Sequence, residues 1–114
     1  MLPFPEQWEL IAVFEGEPTL TDANLPWFYN RVSFSLVRGR ELIECAIEPS
    51  SRQIDFTYVI DGRVAVALVL RRVAGLRTYQ ERGTEGLVVL MEDGSRGDLR
   101  VQVSPEIRFT WRED

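Results

Sequence analysis

An α+β domain, mostly β, is the architecture to expect from this chain: a twisted antiparallel sheet or two-layer sandwich of about six to eight strands with one short N-terminal helix. Three observations carry that expectation. From residue 31 onward apolar residues recur at every second position, the period of a half-buried strand. The apolar runs are separated by clusters of Gly, Pro, Asp and Ser at hairpin spacing. Helical spacing is confined to a short segment before Gly16. With 114 residues, the chain makes a single domain, 1–114, that buries about two-thirds of its unfolded surface and supports one core without metal or disulfide staples.

The helix is predicted in EQWELIAVF, directly after Pro5. Proline is tolerated at the first helical position, and Glu6 sits at the positive end of the helix dipole. Trp8, Ile11, Ala12 and Glu15 share one face, and Leu10, Val13 and Phe14 widen the apolar stripe beyond half the circumference. Such a helix packs against a sheet. Gly16 and Pro18 stop it. Residues 17–30 then mix turn formers (Pro18, Asp22, Asn24, Pro26) with Leu20, Leu25, Trp27, Phe28 and Tyr29, an unusual composition for a solvated loop. These rings either plug the end of the core, the commoner outcome, or form part of a binding surface, where Trp and Tyr are enriched.

Val32, Phe34 and Leu36 alternate with Ser33 and Ser35. A tight turn at Arg38-Gly39 leads into Ile43, Cys45 and Ile47, giving a first hairpin with one wet face. Pro49-Ser50-Ser51 closes it. Ile54, Phe56, Tyr58 and Ile60 then share a face opposite Gln53, Asp55 and Thr57, and Asp61-Gly62 is a two-residue hairpin signal. The return strand, Val64 to Leu70, is apolar on both faces and predicts a central, covered strand. Val73 to Glu81 is open between strand and turn, with Leu76 and Tyr79 as anchors. Leu87 to Met91 is a short strand ended by the polar stretch from Glu92 to Gly97. Leu99, Val101 and Val103, then Ile107, Phe109 and Trp111, make the last two strands around Ser104-Pro105.

Composition narrows the chemistry. Histidine is absent and every one of the 13 basic residues is Arg, which removes imidazole bases, Ser-His and Cys-His nucleophile systems, Schiff-base chemistry and a Walker-type lysine. No catalytic residue, cofactor or metal site is expected. Asp93-Gly94-Ser95-Arg96-Gly97-Asp98 lacks the ligand register of an EF-hand loop, and the glycines near it lie in no strand-glycine-helix unit. A net charge of −5 is the wrong sign for a phosphate backbone, so no nucleic-acid partner is expected. It would draw in a basic protein.

Cys45 alone allows no internal disulfide; its alternation with Ile43 and Ile47 makes it a small buried hydrophobe. The start has no positive n-region and no apolar run of signal length, and Val64 to Leu70 is far short of a membrane span, so a cytoplasmic protein with no membrane contact is expected. Glu44 and Glu48 share a strand face, and Glu41 could bring a third carboxylate near. The simplest reading of these acids is a solvated face balanced by Arg38, Arg40 or Arg52. Arg71, Arg72, Arg77, Arg100, Arg108 and Arg112 are expected on outer sheet faces.

The order of features resembles the immunity protein 50 family and related small domains of bacterial polymorphic-toxin loci. Phe14, Gly16, Pro18, Leu20, Asp22 and Ala23 follow the family's early stretch, with Thr21 where the family often has histidine and two extra residues between Phe14 and Pro18. Val69, Val73, Leu76 and Leu87, then Ile107-Arg108-Phe109, follow its later apolar pattern. The resemblance implies a non-catalytic protein-binding module that neutralises a cognate toxin by steric and electrostatic occlusion. The side chains of this sequence best suited to such contact are Trp27, Tyr29, Glu44, Glu48 and Asp55. The alternatives are a structural domain that self-associates into a homo-oligomer, and a small-ligand binder with a pocket between helix and sheet.

Overall fold

In the computed structural model, which describes residues 4–26, 29–92 and 97–112, two antiparallel sheets pack face to face and one helix closes an end. The helix α1 (Gln7–Phe14) precedes β1 (Thr19–Leu20), β2 (Val32–Arg38), β3 (Glu41–Glu48), β4 (Gln53–Ile60) and β5 (Arg63–Leu70), which form sheet A in that order. Sheet B comprises β6 (Val73–Glu81), β7 (Thr84–Met91), β8 (Asp98–Ser104) and β9 (Arg108–Arg112), also in chain order. Within each sheet every strand pairs with its sequence neighbour, the chain crosses from one sheet to the other between β5 and β6, and the two-layer alternative is the one realised.

The period-2 pattern builds the core directly. Val32, Phe34 and Leu36 of β2, Ile43, Cys45 and Ile47 of β3, and Ile54 and Phe56 of β4 are buried on one side. From sheet B, Leu87 and Val89 of β7 and Leu99, Val101 and Val103 of β8 meet them. Phe56 meets Phe109 of β9 edge-on at 5.9 Å between ring centroids, a favoured aromatic geometry that ties the two sheets. Fully burying one such side chain is worth about 1.5–3 kcal/mol.

Turn chemistry follows the sequence where it is strongest. Asp61 and Gly62 both take positive φ, the signature of a type I′ hairpin turn, which glycine adopts without steric cost. The β2–β3 turn lies one residue beyond its expected place: Arg38 pairs with Glu41, leaving Gly39-Arg40 as the loop. Val73 to Glu81 is a full strand, and β7 begins at Thr84, three residues before the expected Leu87.

Two expectations are corrected. The helix does not bury the Trp8, Ile11, Ala12 and Glu15 face. Leu10, Val13 and Phe14 pack inward, with Phe14 stacked on Phe34 at 5.1 Å, while Trp8 is exposed. The helix ends at Phe14, before Gly16 as expected, with Glu15 in the left-handed conformation and the Gly16 N–H donating to Ile11 O. Finally, β5 is an edge strand with an open outer face, not a central one. Val64, Ala65, Ala67 and Val69 are exposed on it.

Candidate functional site

The outer face of sheet A is an open surface across four long strands, and pairing register sets its rows. Val37, Leu42, Val59 and Val64 stand side by side on β2 to β5. Val37 is 65% exposed and Val64 63%, with Leu42 and Val59 half-buried between them. The next row holds Ser35, Glu44, Thr57 and Ala67, and the one after it Ser33, Ala46, Asp55 and Val69. Glu48 faces Gln53 in the last. The surface is thus apolar at one end, small and polar in the middle, and acidic toward the other end.

Small side chains leave a hollow in that middle. It has a volume of about 150 Å³ and is lined by Arg31, Ser33, Glu44, Ala46, Asp55 and Thr57. Arg31 forks across its rim: Nη1 donates to Glu48 Oε2 at 2.7 Å, and Nη2 to Asp55 Oδ2 at 2.8 Å. These bonds raise the Arg31 pKa, the Asp55 bond most, against the opposing effect of burial. Glu44 is exposed and has no ion pair among the described residues, in contrast to Asp55 on the other side of the hollow.

The structure therefore brings Glu44, Glu48 and Asp55 onto one face, as their spacing implied. The balancing cation was missed. Arg38 instead bridges to Glu15 at 2.6 Å, and Arg40 and Arg52 lie near Asp61 and Glu92. Arg31 carried no strand pattern, and only the path of the loop before β2 places it beside Glu48. Glu41 separates from the other acids, because its carboxylate accepts the Tyr58 hydroxyl bond. That bond, with burial second, pushes the Tyr58 pKa up to about 12.

Tyr29, two residues before Arg31, is 67% exposed, so this ring does not plug the end of the core. Trp27 and Phe28 fall outside the described residues, as does most of the polar stretch after Glu92, residues 93–96. Leu25 is also exposed. The apolar row of Val37, Leu42, Val59 and Val64 had a legible signal that strict alternation obscured: at the hairpin ends two apolar residues stand together, in Leu36-Val37, Leu42-Ile43 and Val59-Ile60.

The outer face of sheet B is basic and aromatic. Arg77 and Arg100 flank the buried Val88, and the Arg100 guanidinium lies 4.6 Å from the centroid of the Tyr79 ring. Arg71 and Arg72 fall in the connection between the sheets instead of on a face, and the Arg112 side chain is outside the described residues. A hollow of about 550 Å³ lies between the start of α1 and β6, lined by Phe4, Pro5, Glu9, Leu76, Arg77 and Leu90. Glu9 is committed there to the helix start, its Oε1 accepting the Glu6 N–H at 3.0 Å.

Cys45 is buried, and desolvation pushes its thiol above the ordinary range, away from the nucleophilic thiolate form. Among the described residues no cluster of three metal-ligating side chains occurs. Nor, among them, is any helix long and apolar enough to cross a membrane.

No protein-family model and no curated protein sequence matches the chain. One solved structure does: a chain of a contact-dependent growth inhibition toxin–immunity protein complex from Klebsiella pneumoniae 342. The TM-score is 0.79, covering 96% of this chain and 94% of that one at 11% sequence identity. The fold is one found in a toxin–immunity complex. The likeness extends over both sheets and the helix, and at this identity it is a likeness of architecture. What is shared is the mostly-β architecture of two antiparallel sheets with one helix.

Proposed function

We propose that this chain is an immunity protein, a non-catalytic cytoplasmic module that binds a cognate bacterial toxin and neutralises it by occlusion. The observation that carries the reading is the fold shared over nearly the whole chain with a chain of a toxin–immunity protein complex. Of the two roles in such a complex, this chain suits the inhibitor. It has no histidine or lysine for acid-base or nucleophilic work, and its single cysteine is buried.

The outer face of sheet A is the surface best suited to the task. Protein interfaces combine an apolar part with polar groups that fix orientation, and this face offers the valine row beside the hollow held by Glu44 and Asp55. The hollow fits a basic side chain of the toxin, whose charge would meet Glu44. The exposed Tyr29 ring, in the loop that leads into Arg31, adds an aromatic side chain to the surface. Glu48 and Asp55 act mainly through Arg31, holding the rim in shape.

The test is co-expression with the product of the adjacent reading frame. That product is expected to arrest growth of a test host, and this chain to restore it. Growth unaffected by the adjacent product, or arrest that this chain does not relieve, overturns the reading.

A further inference from the structure

The composition of β5 conflicts with its position. Residues 64–70 read Val-Ala-Val-Ala-Leu-Val-Leu, the apolar content of a strand covered on both faces, yet the strand lies at the edge of sheet A. Val64, Ala65, Ala67 and Val69 are exposed. Native edge strands are usually blunted by charge, proline or a bulge. Here the pairing slips between Tyr58 and Val59, but Val66 to Leu70 runs in unbroken register against Tyr58 to Ile54. Along that length alternate residues turn their N–H and C=O groups away from β4, leaving a template for one more strand.

Charge at the two ends selects the occupant. Arg63 opens the strand, Arg71 and Arg72 follow it, and all three are exposed with no carboxylate partner among the described residues. A second copy paired antiparallel about Ala67 would set Arg63 of each chain against Arg71 of the other. Like charges directly opposite destabilise such pairs.

We propose that the edge of β5 accepts an extended strand from the partner protein, apolar at alternate positions and carrying acidic residues at its ends, so that sheet A gains a sixth strand. Backbone bonds along Val66 to Leu70 hold the added strand, and Arg63, Arg71 and Arg72 set its register through its acidic flanks. The proposal rests on the toxin-binding reading and assigns it a docking mode.

Residue-resolved amide exchange of the full chain, alone and saturated with the product of the adjacent reading frame, tests it. The outward amides of β5 exchange freely in the free chain and are expected to slow by at least about 100-fold in the complex. The variant Arg63→Glu, Arg71→Glu, Arg72→Glu, checked for fold by circular dichroism, is expected to bind at least about tenfold more weakly. A neutralising complex in which the β5 amides still exchange freely overturns the strand addition and leaves the immunity reading standing. A free chain that sediments as a dimer with those amides already protected assigns the edge to a second copy and overturns it as well. Failure of the adjacent product to bind at all removes both readings.

Discussion

Asn30 orders a polar loop with a single side chain. It is 3% exposed; its Oδ1 accepts the Asp22 N–H at 2.8 Å, and its Nδ2 donates to Asp22 O at 2.7 Å and Leu25 O at 3.0 Å. Asn30→Ala leaves these backbone groups unpaired and is expected to cost about 2 kcal/mol in urea unfolding, with Asn30→Asp also destabilising because a carboxylate cannot donate. Tyr58 gives a prediction in pH. Its folded pKa, about 12, lies above its ordinary value of 10.0 because the protonated hydroxyl donates to Glu41. The stabilisation is therefore complete below pH 10 and lost as pH rises through about 12. Thermal melts of Tyr58→Phe should lie below wild type at neutral pH and converge toward it across that window. Neither role was legible in the sequence. Asn30 sits among ordinary turn formers and its partners are backbone atoms, while Tyr58 followed the apolar alternation that hid its hydroxyl contact. Tyr29 was legible as a large ring in a loop, but its choice between core and surface depends on a path that loop composition does not specify.

At the scale of elements, local pattern and turn chemistry foretold most of sheet A and the last two strands. Where alternation was strict, as in β2, β3 and β8, the inward residues are the buried ones, while in β4 the pattern holds for Ile54 and Phe56 and opens at Tyr58 and Ile60. What escaped was the environment of a strand whose two faces look alike. β5 reads as central because apolar content records how much surface a strand would bury, not whether its own chain covers it. β6 was ambiguous because Gly75 sits within it at an irregularity in its pairing with β7. Gly86 of β7 shows a similar dependence on neighbours. A Cβ there would lie 2.1 Å from Val101 O and 2.8 Å from the Tyr79 hydroxyl, so the strand passes beneath the ring only because glycine has no side chain. Gly86→Ala must shift the backbone of β8 and is expected to cost about 2–3 kcal/mol, read as a lower denaturant midpoint. Gly83→Ala loses only turn geometry, having open space around it, and separates crowding from strain.

The whole molecule carries a net charge of −5, distributed so that the two sheets present different signs. Glu44, Glu48 and Asp55 lie on the outer face of sheet A, while Arg77 and Arg100 flank Val88 on that of sheet B. A basic partner is attracted by the total charge at long range and oriented by its placement at short range. The two contributions separate in a pair of charge reversals. Glu44→Arg and Glu81→Arg alter the net charge equally, one on each sheet, and both residues are exposed and outside the ion pairs, so each should change stability by no more than about 0.5 kcal/mol. Both should slow association modestly through the weaker global field. If sheet A is the docking face, Glu44→Arg should slow it roughly tenfold further and flatten its dependence on ionic strength, because a positive charge then meets the partner's basic group in the hollow. Stopped-flow association with the product of the adjacent reading frame at low and high salt measures both effects. Equal slowing by the two variants would assign the attraction to net charge alone and move the docking face away from Glu44.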